Sequence, residues 1–157
     1  MFRNIEVLAK KLDKVRPKKI VLTGGYFDLT HVGHLELLEF AKSQGDILVV
    51  NVGSDMLCKK VKGKKRPVLS ENQRAKMVSS LKTVDFVFVS DEPTFSHHIL
   101  HALKPNILVV NESWNGKKEI EDIEKAFPEI GIVFVEEKSA QDGLSTTQLI
   151  EKIKQEH

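Results

Sequence analysis

The sequence predicts an α/β fold, a doubly wound five-stranded parallel sheet with helices on both faces. Short apolar, β-branched runs recur five times, and stretches with helical spacing of apolar residues lie between them. The first run empties into a glycine-rich turn that leads straight into a helix, the kind of junction at which doubly wound sheets bind ligands.

Residues 1–15 space Phe2, Ile5, Val7, Leu8 and Leu12 among charges with a period closer to a helix than to a strand, so an N-terminal helix is expected. Buried strands are expected at residues 20–22, 47–52, 84–89, 107–110 and 132–135, where Val, Ile, Leu and Phe crowd together. Helical periodicity marks residues 35–43, 71–81, 95–103 and 120–127, and a last helix near 147–154. Residues 59–67 break the pattern, since basic side chains crowd around Gly63 and end at Pro67. This segment reads as a mobile basic loop, with a solvated surface charge run as the plainer alternative.

At 157 residues and 41% hydrophobic content, the chain suits one domain spanning 1–157 with a core that needs no disulfide or metal staple. Lys and Arg number 24 against 22 Asp and Glu, a formal net charge of +2. Such a balance gives no general attraction to nucleic acid or to an anionic membrane, so any anion must be bound locally. Cys58 is the only cysteine, which fits a reducing compartment such as the cytoplasm, and no recognisable base accompanies it. No apolar run is long enough for a membrane span.

The chemistry concentrates after the first strand, in Thr23-Gly24-Gly25-Tyr26-Phe27-Asp28-Leu29-Thr30-His31-Val32-Gly33-His34. Glycines let the backbone approach a phosphate, and the following helix start offers free N–H groups and a positive dipole end. His31 and His34 are three residues apart, so on a helix their imidazoles share a face, with Gly33 leaving room for an anion. In-line displacement at phosphorus asks for positioning and electrostatic stabilisation more than for a covalent nucleophile, which suits paired imidazole donors.

This segment resembles the His-x-Gly-His signature of the nucleotidyltransferase superfamily that includes the cytidylyltransferases, preceded by its Gly-Gly-x-Phe-Asp lead. The resemblance implies a Rossmann-like sheet and a nucleoside triphosphate as donor, ATP or CTP. It also implies a small phosphorylated sugar or polyol as acceptor, and release of pyrophosphate. By it His31 and His34 are catalytic, Gly24, Gly25, Tyr26, Phe27, Asp28 and Gly33 lie against the nucleotide, and Mg²⁺ travels with the triphosphate. A homodimer is implied as well, whereas no protein-bound metal site is expected.

Three later segments extend the likeness. Lys62-Gly63-Lys64-Lys65-Arg66-Pro67-Val68, followed by Gln73-Arg74, resembles the Lys-Gly-x-x-Arg-Pro-Val and Gln-Arg pattern of heptose-1-phosphate adenylyltransferases. Lys60 or Lys62 is then a phosphate contact, and Arg74 holds the nucleotide site from the next helix. Asn111-Glu112-Ser113-Trp114-Asn115-Gly116-Lys117 resembles the Gly-Asp-Asp-Trp-x-Gly-Lys segment of glycerol-3-phosphate cytidylyltransferases, a position for base or acceptor contacts, and makes Trp114 a nucleotide contact, with loop anchoring as its alternative role. Asp142-Gly143-Leu144-Ser145-Thr146-Thr147 resembles the hydroxyl motif that closes the nucleotide site, where Ser145, Thr146 and Thr147 cap a helix, bind phosphate oxygens, or do both. The closest expectation is a heptose-1-phosphate adenylyltransferase, with CTP-dependent glycerol-3-phosphate transfer second and a non-catalytic nucleotide-binding domain as the rival of another class. His97 and His101, four apart, have no further ligand at a recognisable spacing and are not read as a metal site.

Overall fold

A computed structural model describes residues 1–136 and 146–155. Five strands, β1 (Ile20–Gly25), β2 (Ile47–Gly53), β3 (Phe86–Ser90), β4 (Ile107–Asn111) and β5 (Gly131–Val135), form one parallel sheet in the order β3-β2-β1-β4-β5. The chain builds outward from β1 to β3, then crosses back to lay β4 on the other side of β1. The order therefore reverses between β1 and β4, and ligands of such sheets bind beyond the strand carboxyl ends at that reversal.

The helices are α1 (Ile5–Asp13), α2 (Val32–Ser43), α3 (Asp55–Lys62), α4 (Glu71–Ser79), α5 (His97–Leu103), α6 (Lys118–Ala126) and α7 (Thr146–Gln155). Strand side chains alternate between faces, so Ile20 and Leu22 enter one core while Val21 enters the other. The first core joins Leu8 and Leu12 of α1, Leu100 and Leu103 of α5, and Ile120 and Ile123 of α6. The second joins Leu38 and Ala41 of α2 to Ala75 and Val78 of α4. Each fully buried Leu or Ile contributes about 1.5–3 kcal/mol, which fixes the sheet rigidly beneath the loops at its C-terminal edge.

Two sequence expectations need correction. The N-terminal helix starts at Ile5, not at residue 1, because the Asn4 side chain accepts from the Val7 amide at 2.9 Å and caps it there. Phe2 instead pairs with the edge of β3: its amide donates to the Val87 carbonyl at 2.8 Å and its carbonyl accepts from Val89 at 3.1 Å. The expected basic loop is half helix. Ser54 caps α3 by accepting from Leu57, the basic side chains of Lys59, Lys60 and Lys62 fill its last turn, and Gly63 ends it at φ 95°, a conformation that favours glycine.

Candidate active site

A cleft of about 880 Å³ opens beyond the C-terminal ends of β1, β4 and β5. The starts of α2 and α7 both line it, so two helix N-termini bring their positive dipole ends to one space. Of the residues expected from sequence, Gly24, Gly25, Tyr26, Phe27, Asp28, His31, Gly33, His34, Lys62, Trp114, Thr146 and Thr147 line this cleft. Ser145 lies outside the described residues.

His31 is the extended N-cap of α2, at φ −133° and ψ 176°, and His34 lies in its first turn. The two rings are 4.0 Å apart between centroids at an angle of 35°, and Phe27 lies 5.2 Å from the ring of His34. Burial among these rings is the main reason the His34 pKa falls from 6.5 to about 4; the neighbouring His31 adds to the fall and Asp28 opposes it. At neutral pH His34 is therefore an uncharged imidazole. The His31 amide donates to His34 Nδ1 at 3.3 Å, which leaves the proton on Nε2. The result is a fixed N–H donor at a helix start.

The turn that carries these rings is strained. Phe27 at φ 53° and Leu29 at φ 49° occupy the left-handed region, at a cost of about 1–3 kcal/mol each. Asp28 between them is buried and anchors the turn. Its carboxylate accepts from Arg66 Nε at 2.9 Å and from the amides of Val68 at 3.0 Å and Leu69 at 3.1 Å. The Thr146 hydroxyl donates to the Asp28 carbonyl at 2.7 Å. One residue thus ties the glycine turn to the basic segment and to the start of α7.

Arg74, expected among the nucleotide contacts, is placed differently. It is fully buried and absent from the cleft lining. Its guanidinium donates to the carbonyls of Tyr26, Gly53 (2.8 Å) and Leu69 (3.0 Å) and to Asp55 Oδ1 at 2.7 Å. The planar fork clamps the turn, the end of β2 and the start of α3 together, so Arg74 shapes the cleft without facing it. The two candidate lysines also separate, since Lys62 lines the cleft and Lys60, on the same helix, does not.

On the opposite wall, Trp114 ends a 3-10 turn (Glu112–Trp114) that starts where Asn111 accepts from the Ser113 amide at 2.8 Å. Its ring meets Phe95 edge-on at 4.6 Å, and Lys117 Nζ lies 4.4 Å from its centroid. Sequence reasoning missed several lining residues: Glu36, Glu39, Arg66, Thr94 and Phe95; Asn111 opens the segment expected to make base or acceptor contacts. Arg66 stood inside a quoted motif, and Glu36 and Glu39 follow His34 on the same helix; no local signal marked Thr94 or Phe95. His97, His98 and Cys58 have structural surroundings. His97 packs edge-on against Phe127, His98 Nδ1 lies 2.8 Å from Glu92 Oε1, and the Cys58 thiol is buried, which pushes its pKa up.

A parallel sheet whose order reverses beside β1, with a cleft over its C-terminal edge, is the fold of an α/β nucleotidyltransferase. The family model described as cytidylyltransferase-like matches residues 22–152, and the chain belongs to that family. Among curated proteins it is 41% identical over 153 residues to the bifunctional protein HldE of Helicobacter pylori (strain P12), covering 96% of this chain and 31% of that protein. The bifunctional protein HldE of Campylobacter jejuni subsp. doylei is 43% identical over 142 residues, covering 90% of this chain and 29% of that protein. The chain thus spans about three-tenths of the length of these relatives.

Among solved structures, the lipopolysaccharide core biosynthesis protein from Thermoplasma volcanium GSS1 superposes with a TM-score of 0.61 at 28% identity, covering 76% of this chain and 95% of that one. Pantoate-beta-alanine ligase from Francisella tularensis, at 17% identity and a TM-score of 0.62, covers 86% of this chain and 66% of that one and shares the fold. Among the described residues no helix is long and apolar enough to cross a membrane.

Proposed function

We propose that this chain acts as one catalytic domain that transfers AMP from ATP to the phosphate of a heptose 1-phosphate and releases pyrophosphate. The observation that carries the reading is the imidazole pair His31 and His34, stacked at the start of α2 inside the cleft. Family membership supports the reaction class, and the Lys-Gly-x-x-Arg-Pro-Val likeness together with the HldE relatives supports the acceptor.

In this reading the α-phosphate of ATP lies against the amides that open α2. The neutral His34 donates its Nε2 proton as a hydrogen bond to an α-phosphate oxygen, and His31 lies beside it. A phosphate oxygen of the acceptor, already ionised near neutral pH, forms the new bond to the α-phosphorus. The bond from that phosphorus to the bridging oxygen breaks, and the electron pair leaves with pyrophosphate. No proton need be removed from the nucleophile, so a neutral donor serves better here than a general base. Lys62 adds a point charge on the leaving side, and Arg66, fixed by Asp28, adds a planar fork.

Mg²⁺ fits as a metal that arrives with the triphosphate. Glu36 and Glu39 line the cleft and would offer the ion carboxylate oxygens. Mg²⁺ typically takes one or two carboxylates and completes its shell with phosphate oxygens and water. When bound, it neutralises charge building on the pyrophosphate. By the same family likeness the enzyme works as a cytoplasmic homodimer.

A pyrophosphate-release assay with the four nucleoside triphosphates against a panel of sugar and polyol phosphates tests the proposal. ATP with heptose 1-phosphate is expected to turn over fastest. CTP with glycerol 3-phosphate is the second reading, favoured by Trp114 on the cleft wall. Nucleotide binding without turnover on any acceptor would overturn catalysis in favour of a binding domain.

A further inference from the structure

Gly24 and Gly25 follow Thr23 in the first strand, and a glycine beside a phosphate is ordinarily explained by the phosphate. At Gly24 the structure gives another reason. A Cβ there would stand 2.1 Å from Thr94 Oγ1, 2.8 Å from the Asn51 carbonyl oxygen and 3.0 Å from Asn51 Cβ. The space a side chain would take is filled by the hydroxyl of Thr94, which comes from the loop after β3 and reaches across β2 to lie on β1. Thr94 lines the cleft at that point, and its neighbour Phe95 packs against Trp114 on the far wall.

Asn51 controls this hydroxyl from below. It is buried in the middle of the sheet, and its Nδ2 donates to Thr94 Oγ1 and to the Glu92 carbonyl, both at 3.3 Å. The second bond fixes which way the amide points, because turning it over would set Oδ1 against the Glu92 carbonyl oxygen. With the amide so held, Thr94 Oγ1 accepts from Asn51, and its own proton is left to donate elsewhere. Among the described residues the buried Asn51 Oδ1 has no hydrogen-bond partner.

We propose that Thr94 is a nucleotide-contacting residue and Asn51 its positioning residue: the Thr94 hydroxyl, lodged in the notch at Gly24, donates a hydrogen bond to the nucleotide as it crosses from the histidines to the Phe95–Trp114 wall. The inference rests on the cleft being the nucleotide site. It assigns Thr94 to the donor substrate and not to the acceptor, because the hydroxyl lies on β1, whose turn carries His31 and His34, and beside the aromatic pair.

The test measures binding of α,β-methylene ATP by calorimetry, and KM for each substrate by pyrophosphate release, in the wild-type chain, Thr94→Val and Thr94→Ser. Valine keeps the shape and removes the hydroxyl. An uncharged hydrogen bond of this kind corresponds to a loss of roughly three- to tenfold in affinity. Thr94→Val is therefore expected to weaken the analogue and raise KM for ATP by that factor. KM for the acceptor should stay within twofold, and Thr94→Ser should bind close to wild type.

Asn51→Ala supplies an independent handle on the positioning role. It removes the donor that turns the Thr94 proton outward and adds no charge, so it should weaken the analogue and raise KM for ATP but not for the acceptor, and add little to Thr94→Val in the double variant; analogue binding and KM for ATP equal to wild type would overturn the positioning role. If wild type binds the analogue while Thr94→Val binds it equally, or if Thr94→Val affects only the acceptor, this inference fails and the function above stands. Failure of wild type to bind the analogue at all would overturn both.

Discussion

Replacing Arg74 by methionine removes the clamp beneath the cleft while keeping most of the aliphatic stem. Four partners lose their donor: the carbonyls of Tyr26, Gly53 and Leu69, and the carboxylate of Asp55. Asp55 is 32% exposed and can recover water, but the Gly53 bond is fully buried. A buried acceptor left without a partner costs about 1–3 kcal/mol, so the loss is carried by the carbonyls of Tyr26, Gly53 and Leu69 and not by the water-accessible Asp55. Relief from burying the guanidinium itself offsets part of this. The net expectation for Arg74→Met is a loss of about 3 kcal/mol, against about 5–15 kcal/mol of total stability for an ordinary domain. Urea unfolding of both proteins at neutral pH measures it as a fall in midpoint at unchanged slope. Arg74→Lys should recover only part of the loss, because one ammonium cannot reach carbonyls spread over three segments. A loss below about 1 kcal/mol for methionine would refute the clamp.

Other perturbations have defined outcomes. His34→Ala should lower turnover at least about a hundredfold in a folded protein, the size of effect seen when a transition-state donor is deleted; circular dichroism with the pyrophosphate assay checks both halves. Because the His34 pKa falls from 6.5 unfolded to about 4 folded, the unfolded chain takes up a proton between those values and the native protein does not. Stability is therefore fully present above about pH 6.5 and is lost as pH falls towards 4, by at most about 3 kcal/mol before solvent in the cleft screens it. Urea midpoints across that window should slope less in His34→Gln. Gly24→Ala should destabilise by about 1–3 kcal/mol through collision with Thr94 and Asn51, read as a lower thermal midpoint.

The alternation of strands and helices was legible because the central strands are buried and so read as unbroken apolar runs, and the half-buried edge strand β5 keeps such a run at residues 132–135. The His-x-Gly-His segment was legible because its function is local, being one turn and one helix start. Helix α3 was not, since only Cys58 of its eight residues is buried and its lysines obscure any apolar period; Ser54 before it and Gly63 after it were the available signals. The pairing of Phe2 with β3 and the meeting of Gly24, Asn51 and Thr94 arise from segments far apart in sequence, which pattern within a window cannot register. The role of Arg74 shows the same limit. Sequence placed it near the site, but only its burial distinguishes a residue that shapes the cleft from one that faces it.

The most direct measurement is a crystal structure with α,β-methylene ATP bound. The arrangement of α2 predicts an α-phosphate oxygen within hydrogen-bonding distance of His34 Nε2, the His31 ring beside it, and the amides opening α2 pointing at the same group. A triphosphate seated elsewhere, with both imidazoles turned from phosphorus, would contradict the account.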